Sequence, residues 1–204
     1  VAGGNSAGSN ANQLDEPSAV VIDNNGNIYV ADNNNHRIQK WAPGATEGTT
    51  VAGGNGYGSG LNQLGWPRGV SIDPSGNLIV CDYNNNRIMM FPSGSSSATH
   101  GIIVAGTGLY GSDSYSLWSP VDIDFDTLGN LYVCDQANAR IQKFAYDPNP
   151  NTIIIPAGQT TASAEIRISS SAANDKKITL RPSISSGASL SSAAPITMSI
   201  NETI

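Results

Sequence analysis

Charge of either sign is scarce in this sequence, and positive charge is the scarcer. Only 13% of the 204 residues are charged, and 10 Lys and Arg against 16 Asp and Glu leave a formal net charge of −6. Nucleic-acid binding requires a basic surface, so this composition argues against a nucleic-acid partner. No apolar run approaches the roughly 18 residues that a membrane-spanning helix needs, so the sequence predicts no membrane span.

What the sequence does contain is a repeat with a period of about 50 residues. The motif Val-Ala-Gly at residue 1 returns at residues 51 and 104. Other landmarks keep the same interval: Pro17, Pro67 and Pro120; Asp23, Asp73 and Asp126; Trp41, Phe91 and Phe144. Such a period is typical of propeller blades. The repeats cover about residues 1–50, 51–103 and 104–155, and most closed rings have four to eight blades rather than three.

Each repeat has the pattern of four short strands. In the middle repeat, apolar or alternating stretches cover residues 69–73, 78–82, 87–91 and 101–105, and turn-forming Pro, Gly, Asn and Ser separate them. Residues 1–150 show no helical periodicity. We predict an all-β fold, in which three four-stranded blades form a partial propeller over residues 1–155 and a partial β-sandwich follows over residues 156–204.

The repeated residues resemble the NHL family. The resemblance lies in Asn35-His36-Arg37-Ile38 of the first repeat, Asn86-Arg87-Ile88 of the second and Asn138-Ala139-Arg140-Ile141 of the third. It covers residues 1 to about 155, where about ten positions recur in register. The resemblance implies NHL-type blades of a β-propeller, often a six-bladed one, that usually acts as a binding platform.

Cysteine and histidine are also rare, with two of each. Cys81 and Cys134 occupy the same place in successive repeats. Neighbouring blades pack about 10 Å apart and a disulfide needs Cα atoms within ~7 Å, so we expect two buried thiols. His36 and His100 lie at unrelated positions of the repeat and cannot build the His-rich metal site of some propeller lyases. We therefore expect no enzymatic activity.

Each repeat contains an aspartate followed five residues later by an arginine. The three pairs are Asp32 and Arg37, Asp82 and Arg87, and Asp135 and Arg140. One interpretation is a ring of ligand-binding charges, and the other is a structural ion pair that ties a hairpin or fixes one blade against the next. Recurrence in every repeat favours the structural pair, because a specific binding site normally departs from the repeat.

The first strand of the third repeat differs from its counterparts. Asp122, Asp124 and Asp126 alternate with Ile123 and Phe125, which places the three carboxylates on one face. This strand would line the central channel of a propeller. The two interpretations are a calcium site and a solvated acidic channel wall, and calcium is the one cofactor that the sequence suggests.

The loops before the second and third blades carry aromatic residues next to glycine. We interpret Tyr57, Tyr110 and Tyr115 as candidates for contact with a glycan or another protein along one rim. The other large apolar residues of the equivalent loops are interpreted as plugs between blades: Leu14, Leu64, Leu117, Trp66 and Trp118.

The repeat pattern ends near residue 155. Residues 152–159 begin where the outer strand of the third blade is due, and residues 164–168, 177–181 and 194–200 then alternate like strands with one buried face. The segment 156–204 resembles the later half of a Calx-β or immunoglobulin-like sandwich. Asn201 begins an Asn-Glu-Thr sequon, so it is a candidate for glycosylation.

Two hypotheses for the function follow from incomplete sheets. Residues 1–4 match an outer strand that lacks its own blade, and unpaired edges favour pairing with another chain. The first hypothesis is an extracellular structural protein, whose strands are completed by neighbouring copies in a head-to-tail assembly such as a filament. The second is an excerpt of a larger surface protein, whose propeller is a platform for a ligand or a protein. A propeller lyase is the third alternative.

Overall fold

The structure, a computed structural model, describes residues 1–146. Blade 1 comprises β1 (Pro17–Ile22), β2 (Ile28–Asp32), β3 (Arg37–Trp41) and β4 (Thr49–Gly53). Blade 2 comprises β5 (Pro67–Ile72), β6 (Leu78–Asp82), β7 (Arg87–Phe91) and β8 (Ile102–Ala105). Blade 3 comprises β9 (Pro120–Phe125), β10 (Leu131–Asp135) and β11 (Arg140–Phe144). The helical segments of this part are single 3₁₀ turns, at Asn33–Asn35, Tyr83–Asn85 and Gln136–Asn138, and none could cross a membrane.

Each blade is an antiparallel sheet whose strands follow one another in chain order. Blades 1 and 2 have four strands, and blade 3 has three within the described residues. The first strands of successive blades, β1, β5 and β9, contact one another, as the inner strands of a propeller do. The structure therefore confirms the predicted all-β fold, a set of blades from a partial propeller.

The two ends of the repeat region differ in what the structure describes. Residues 1–4 form no strand, although their sequence matches the outer strand β4, and no strand within residues 1–146 pairs with them. The predicted outer strand of blade 3 at residues 152–159, the predicted sandwich at residues 156–204 and the Asn201 sequon all lie outside the described residues.

An aspartate and a glycine shape the turn between the first two strands of each blade. In blade 2, the Asp73 carboxylate accepts hydrogen bonds from the backbone N–H and the side-chain amide of Asn77, both at 2.8 Å. Gly76 has a φ of +83°, a left-handed conformation that favours glycine. Asp23 and Asp126 form the same turn in blades 1 and 3. The recurring Asp and Gly-Asn landmarks are therefore turn residues.

The buried core lies between successive blades. Val70 on the inner strand of blade 2 belongs to a buried cluster with Ile38 and Ala52 of blade 1. Ile123 of blade 3 belongs to a second cluster with Ile88 of blade 2. Burying one such aliphatic side chain contributes about 1.5–3 kcal/mol, so each junction stabilises the two blades that it joins.

The loop residues predicted to plug these junctions divide into two groups. Leu64 and Leu117 are fully buried, as predicted, and belong to the two clusters, whereas Leu14 is only half-buried. The prediction is wrong for Trp66 and Trp118, which are 42% and 46% exposed. Between the buried leucine and the inner strand, the chain passes through one left-handed residue, Trp66 at φ +53° or Ser119 at φ +56°. The left-handed residue changes the direction of the chain, which leaves the tryptophan side chain on the surface.

The two cysteines differ in burial, and no disulfide joins them. Cys81 is fully buried against blade 3, as expected, and burial raises the pKa of its thiol. The expectation is wrong for Cys134, which is half-buried. Cys134 occupies the same position in blade 3, on a face that no blade covers within residues 1–146.

Candidate functional site

Each blade is preceded by an entry loop, which carries the chain into its inner strand. These loops comprise residues 5–16, 54–66 and 106–119. In blade 2, the Nε of Arg87 donates to the Asp82 carboxylate at 2.7 Å. The remaining guanidinium nitrogens donate to three carbonyl oxygens of the entry loop, at 2.8, 3.0 and 3.3 Å: Ser59, Gly60 and Gln63. One arginine thus holds the loop against its blade.

The predicted pairs of the other blades have the same geometry. Arg37 lies 2.6 Å from Asp32, and Arg140 lies 2.7 Å from Asp135. All three aspartate side chains are fully buried, and a buried charge requires a partner. The arginine also satisfies backbone carbonyls that would otherwise lack donors. The geometry is that of a structural pair, because the guanidinium and carboxylate groups are occupied within the protein.

The entry loops and the 3₁₀ turns lie at the same end of the strands, which is one rim of the partial propeller. The backbone N–H of Asn84 donates to the carbonyl of Gly65 at 3.0 Å, and that of Ala137 donates to the carbonyl of Trp118 at 3.1 Å. The turns between the other strands lie at the opposite rim because the strands are antiparallel.

Three aromatic side chains meet on this rim where blade 1 adjoins blade 2. His36 ends the 3₁₀ turn of blade 1, and Tyr57 and Trp66 lie on the entry loop of blade 2. The ring centroids of His36 and Tyr57 are 5.3 Å apart in a T-shaped arrangement. Those of Tyr57 and Trp66 are 5.9 Å apart, and those of His36 and Trp66 are 6.4 Å apart. Tyr57 and Trp66 are both exposed, so the group presents ring surface to solvent. We call these three residues the junction cluster.

Hydrogen bonds fix the junction cluster from two sides. The backbone N–H of Trp66 donates to the Nδ1 of His36 at 3.3 Å. The side-chain amide of Asn84 donates to the Tyr57 hydroxyl. Burial lowers the pKa of His36, against an opposing effect of the Asp82 carboxylate, so the ring is neutral at pH 7. Only the neutral ring can accept a hydrogen bond at Nδ1.

A second aromatic group lies on the entry loop of blade 3. The ring centroids of Tyr110 and Trp118 are 5.5 Å apart, and both side chains are exposed, as is Tyr115. We call the two groups together the aromatic rim: His36, Tyr57, Trp66, Tyr110, Tyr115 and Trp118. The structure thus brings predicted rim residues together with tryptophans that were assigned to the core.

Blade 1 shows that the fold does not need these aromatic side chains. Ala7 forms the same backbone bridge with Leu14 that Tyr57 forms with Leu64. Glu16, at φ +49°, takes the left-handed position that Trp66 takes at φ +53°. The entry loop therefore adopts one conformation with or without the aromatic residues. A position-by-position comparison of the entry loops is the signal that could have identified Trp66 from the sequence.

The acidic strand of blade 3 does not gather its three carboxylates. Asp122 and Asp124 are exposed on one face of β9, and Ile123 is buried on the other, as the alternation indicates. Asp126 lies in the following turn. Desolvation raises the pKa of Asp126, but hydrogen bonds from Asn130 and Leu128 and the charge of Lys143 outweigh it and lower the pKa to about 2.

Asp126 therefore serves the turn, as Asp73 does in blade 2. Within residues 1–146, no group of three or more His, Cys, Asp or Glu side chains could hold a metal ion, so the predicted calcium set is not assembled there. His36 lies on the aromatic rim, and His100 lies on the loop before β8.

A cavity of about 390 Å³ lies at the opposite rim, between blades 1 and 2. Its walls include Tyr29, Leu78 and small residues of the turns after β3 and β7. Lys40 and Glu47 are its two charged lining residues. Lys40 lies over the Tyr29 ring at 5.5 Å from its centroid, so this cation already has a partner.

Comparison with solved structures gives likenesses of low identity. A structural genomics protein of unknown function from Bacteroides thetaiotaomicron is 19% identical, with a TM-score of 0.49 over 60% of this chain and 33% of its own. An auxiliary nutrient binding protein from the same species is 21% identical, with a TM-score of 0.49 over 62% of this chain and 36% of its own.

A catalytically inactive virginiamycin B lyase from Staphylococcus aureus, solved with Quinupristin, is 18% identical. Its TM-score is 0.44 over 70% of this chain and 44% of its own. The chain thus spans less than half of these three proteins, and at such identities and TM-scores the likenesses carry no functional argument. No curated protein matches the chain.

The comparison with protein families gives a match in each blade. The NHL repeat matches residues 14–41, 64–91 and 117–144. Each matched segment starts at the leucine near the end of an entry loop and ends with the third strand, so it contains the Asp–Arg pair. Three segments of the chain therefore match the NHL repeat, and the structure folds them as successive blades of a partial β-propeller.

Proposed function

We propose that this protein is a non-catalytic binding platform that holds a ligand or a protein partner on the aromatic rim. The observation that carries the proposal is the comparison of entry loops. Tyr57 and Trp66 are exposed at positions where blade 1 keeps the same backbone with Ala7 and Glu16. Exposed aromatic residues that the fold does not require are typical of recognition surfaces.

An extracellular location is part of this proposal. It is supported by the sequon at Asn201. Treatment of the protein from its native source with an N-glycosidase should shift its mass if Asn201 is occupied.

The platform is tested by binding measurements that use the intrinsic tryptophans as reporters. Trp41 is buried, whereas Trp66 and Trp118 are exposed, so a ligand on the rim should change the emission of the exposed pair. The protein is screened against a glycan array and a peptide library. Hits should be lost in Trp66→Ala or Tyr110→Ala and retained in Leu128→Ala, which removes an exposed side chain at the opposite rim. Hits that survive both rim variants would place the binding surface elsewhere.

Head-to-tail assembly is the second candidate function. The observation that favours it is a pair of exposed apolar faces. Val20 of blade 1 is 62% exposed, although its counterparts Val70 and Ile123 are buried against a preceding blade. Ile141 of blade 3 is 66% exposed, although its counterpart Ile38 is buried against a following blade. The two faces match the halves of the existing junctions, so a second copy could supply the missing half to each.

Assembly has a test that is specific to a head-to-tail contact. Light scattering of the 204-residue chain should show species larger than a monomer. Val20→Lys and Ile141→Asp should each give smaller species, and a mixture of the two variants should recover the larger one, because the new charges then face each other. A wild-type monomer at all concentrations would rule out assembly and leave the platform proposal untouched.

A further inference from the structure

The junction cluster is a preformed surface with both apolar and polar groups. The left-handed backbone at His36 and at Trp66 recurs at the same positions of the other blades. The repeat therefore sets the direction in which both side chains leave the backbone before any ligand binds. A surface that is fixed in advance loses little conformational entropy on binding.

The hydrogen bonds of the cluster use the Tyr57 hydroxyl oxygen and the His36 Nδ1 as acceptors. The Tyr57 hydroxyl accepts from the Asn84 amide, so its own proton is available to another acceptor. The Nδ1 of neutral His36 accepts from the backbone N–H of Trp66, which requires the ring proton to be on Nε2. The cluster thus combines exposed ring surface with an O–H and an N–H donor.

The charge of this surface narrows the class of ligand. The cluster contains no ionised side chain, and the protein carries a net charge of −6. An anionic ligand would meet an acidic protein and no cation within the cluster, because the exposed guanidinium of the neighbouring Arg68 lies over the Tyr83 ring. A cationic ligand would meet no carboxylate within the cluster. A ligand with hydroxyl acceptors and an apolar face fits both the donors and the rings.

We propose that the junction cluster binds neutral carbohydrate, with the C–H face of a sugar ring on Trp66 and Tyr57 and its hydroxyls accepting from the Tyr57 O–H and the His36 Nε2–H. This inference rests on the proposed function of the aromatic rim as a binding platform, and it names the ligand class for one part of that rim. A peptide at the same cluster is an alternative outcome of the experiment below.

The experiment titrates the full chain with three neutral hexasaccharides, cellohexaose, mannohexaose and laminarihexaose, and with oligogalacturonate of the same length. Binding is followed by tryptophan emission and by calorimetry. At least one neutral hexasaccharide should bind, and the charged one should bind at least tenfold more weakly. Trp66→Ala should weaken binding at least tenfold, and Tyr57→Phe, which removes only the hydroxyl, should weaken it several-fold.

Two further variants keep the result interpretable. His36→Asn gives blade 1 the asparagine that blade 2 has at the same position. In blade 2, Asn86 accepts a hydrogen bond from the backbone N–H of Ser119 at 3.0 Å. It should keep the junction and weaken sugar binding. Leu128→Ala should bind as the wild type does. Circular dichroism checks the fold of each variant.

Three results would overturn the carbohydrate assignment. They are sugar binding that Trp66→Ala leaves unchanged, equal binding of the charged and neutral oligosaccharides, and no sugar binding at all. If peptides from the library bind in place of sugars and depend on Trp66, the platform proposal survives and the sugar proposal fails. If neither class depends on the rim residues, both proposals fail.

Discussion

The inner side of each entry loop is the same in all three blades, whereas the outer side is not. On the inner side, each arginine pairs with a buried aspartate at 2.6–2.7 Å and holds the loop by its backbone carbonyls. On the outer side, blade 1 has Ala7 where blades 2 and 3 have Tyr57 and Tyr110. A contact with backbone oxygens does not depend on the loop sequence, so the loop is free to vary its exposed side chains. The repeated residues build the blades, and the variable residues distinguish one blade from another.

The largest expected effect is on the inner side, in the middle blade. Arg87→Met removes the partner of the fully buried Asp82 and the donors to the entry loop. We expect a loss of about 3–5 kcal/mol in the free energy of unfolding, measured by urea denaturation. The same change at Arg140, whose side chain is 29% exposed against 4% for Arg87, should cost less because water can solvate the remaining carboxylate.

Arg68→Met is the matched control for Arg87→Met. It removes the same charge from an exposed side chain whose guanidinium lies 4.6 Å from the centroid of the Tyr83 ring, and it should cost no more than about 1 kcal/mol. Equal losses for Arg68→Met and Arg87→Met would contradict the assignment of the pair to the architecture.

A smaller effect is expected where the inner strands of blades 2 and 3 meet. A Cβ at Gly69 would lie 2.9 Å from the backbone of Asp122 and 3.0 Å from the Sγ of Cys81. Gly69→Ala therefore forces the two blades apart, and we expect a loss of about 1–3 kcal/mol. Blade 1 has Ala19 at this position, so Ala19→Gly serves as the reverse control. An unchanged melting temperature in Gly69→Ala would show that this junction is looser than the structure indicates.

The same division between repeated and variable residues determines which features of the structure the sequence predicts. Period, turn residues and the pattern of strands recur three times, so the blades and the Asp–Arg pairs could be identified without coordinates. Hydrophobicity alone assigns Trp66 and Trp118, which lie within two residues of a buried leucine, to the core, and a comparison of the entry loops is what could identify Trp66 as exposed. Their exposure depends on one left-handed residue before the inner strand, at φ +53° or +56°, and no residue type marks it. The strand pattern likewise placed Asp126 with Asp122 and Asp124, although its carboxylate belongs to a turn.

His36 contributes a smaller effect that depends on pH. Burial lowers the pKa of His36 in the folded protein, so the unfolded chain binds the proton more readily. The stabilisation is complete above the unfolded pKa of about 6.5 and is lost as the pH falls through the lower folded pKa. Protonation at Nδ1 also removes the acceptor for the Trp66 N–H, a hydrogen bond worth about 0.5–1.5 kcal/mol.

The His36 effect is measured as the change in melting temperature of the wild type and of His36→Asn between pH 7 and pH 5. The wild type should lose more stability than the variant over this interval, because an asparagine accepts the hydrogen bond at either pH. Parallel losses in the two proteins would assign the pH dependence to other groups.

The smallest expected effect on stability is that of a substitution at Trp66. It distinguishes the exposed outer side of the entry loop from the inner side that Arg87 holds. Trp66→Ala removes an exposed side chain from a loop that Arg87 holds by its backbone, so the free energy of unfolding should change by no more than about 0.5 kcal/mol. Leu64→Ala, two residues earlier and fully buried, should cost about 2–5 kcal/mol. A large loss in Trp66→Ala would mean that the indole supports the junction, and the exposed rings could then no longer be assigned to binding rather than to the fold.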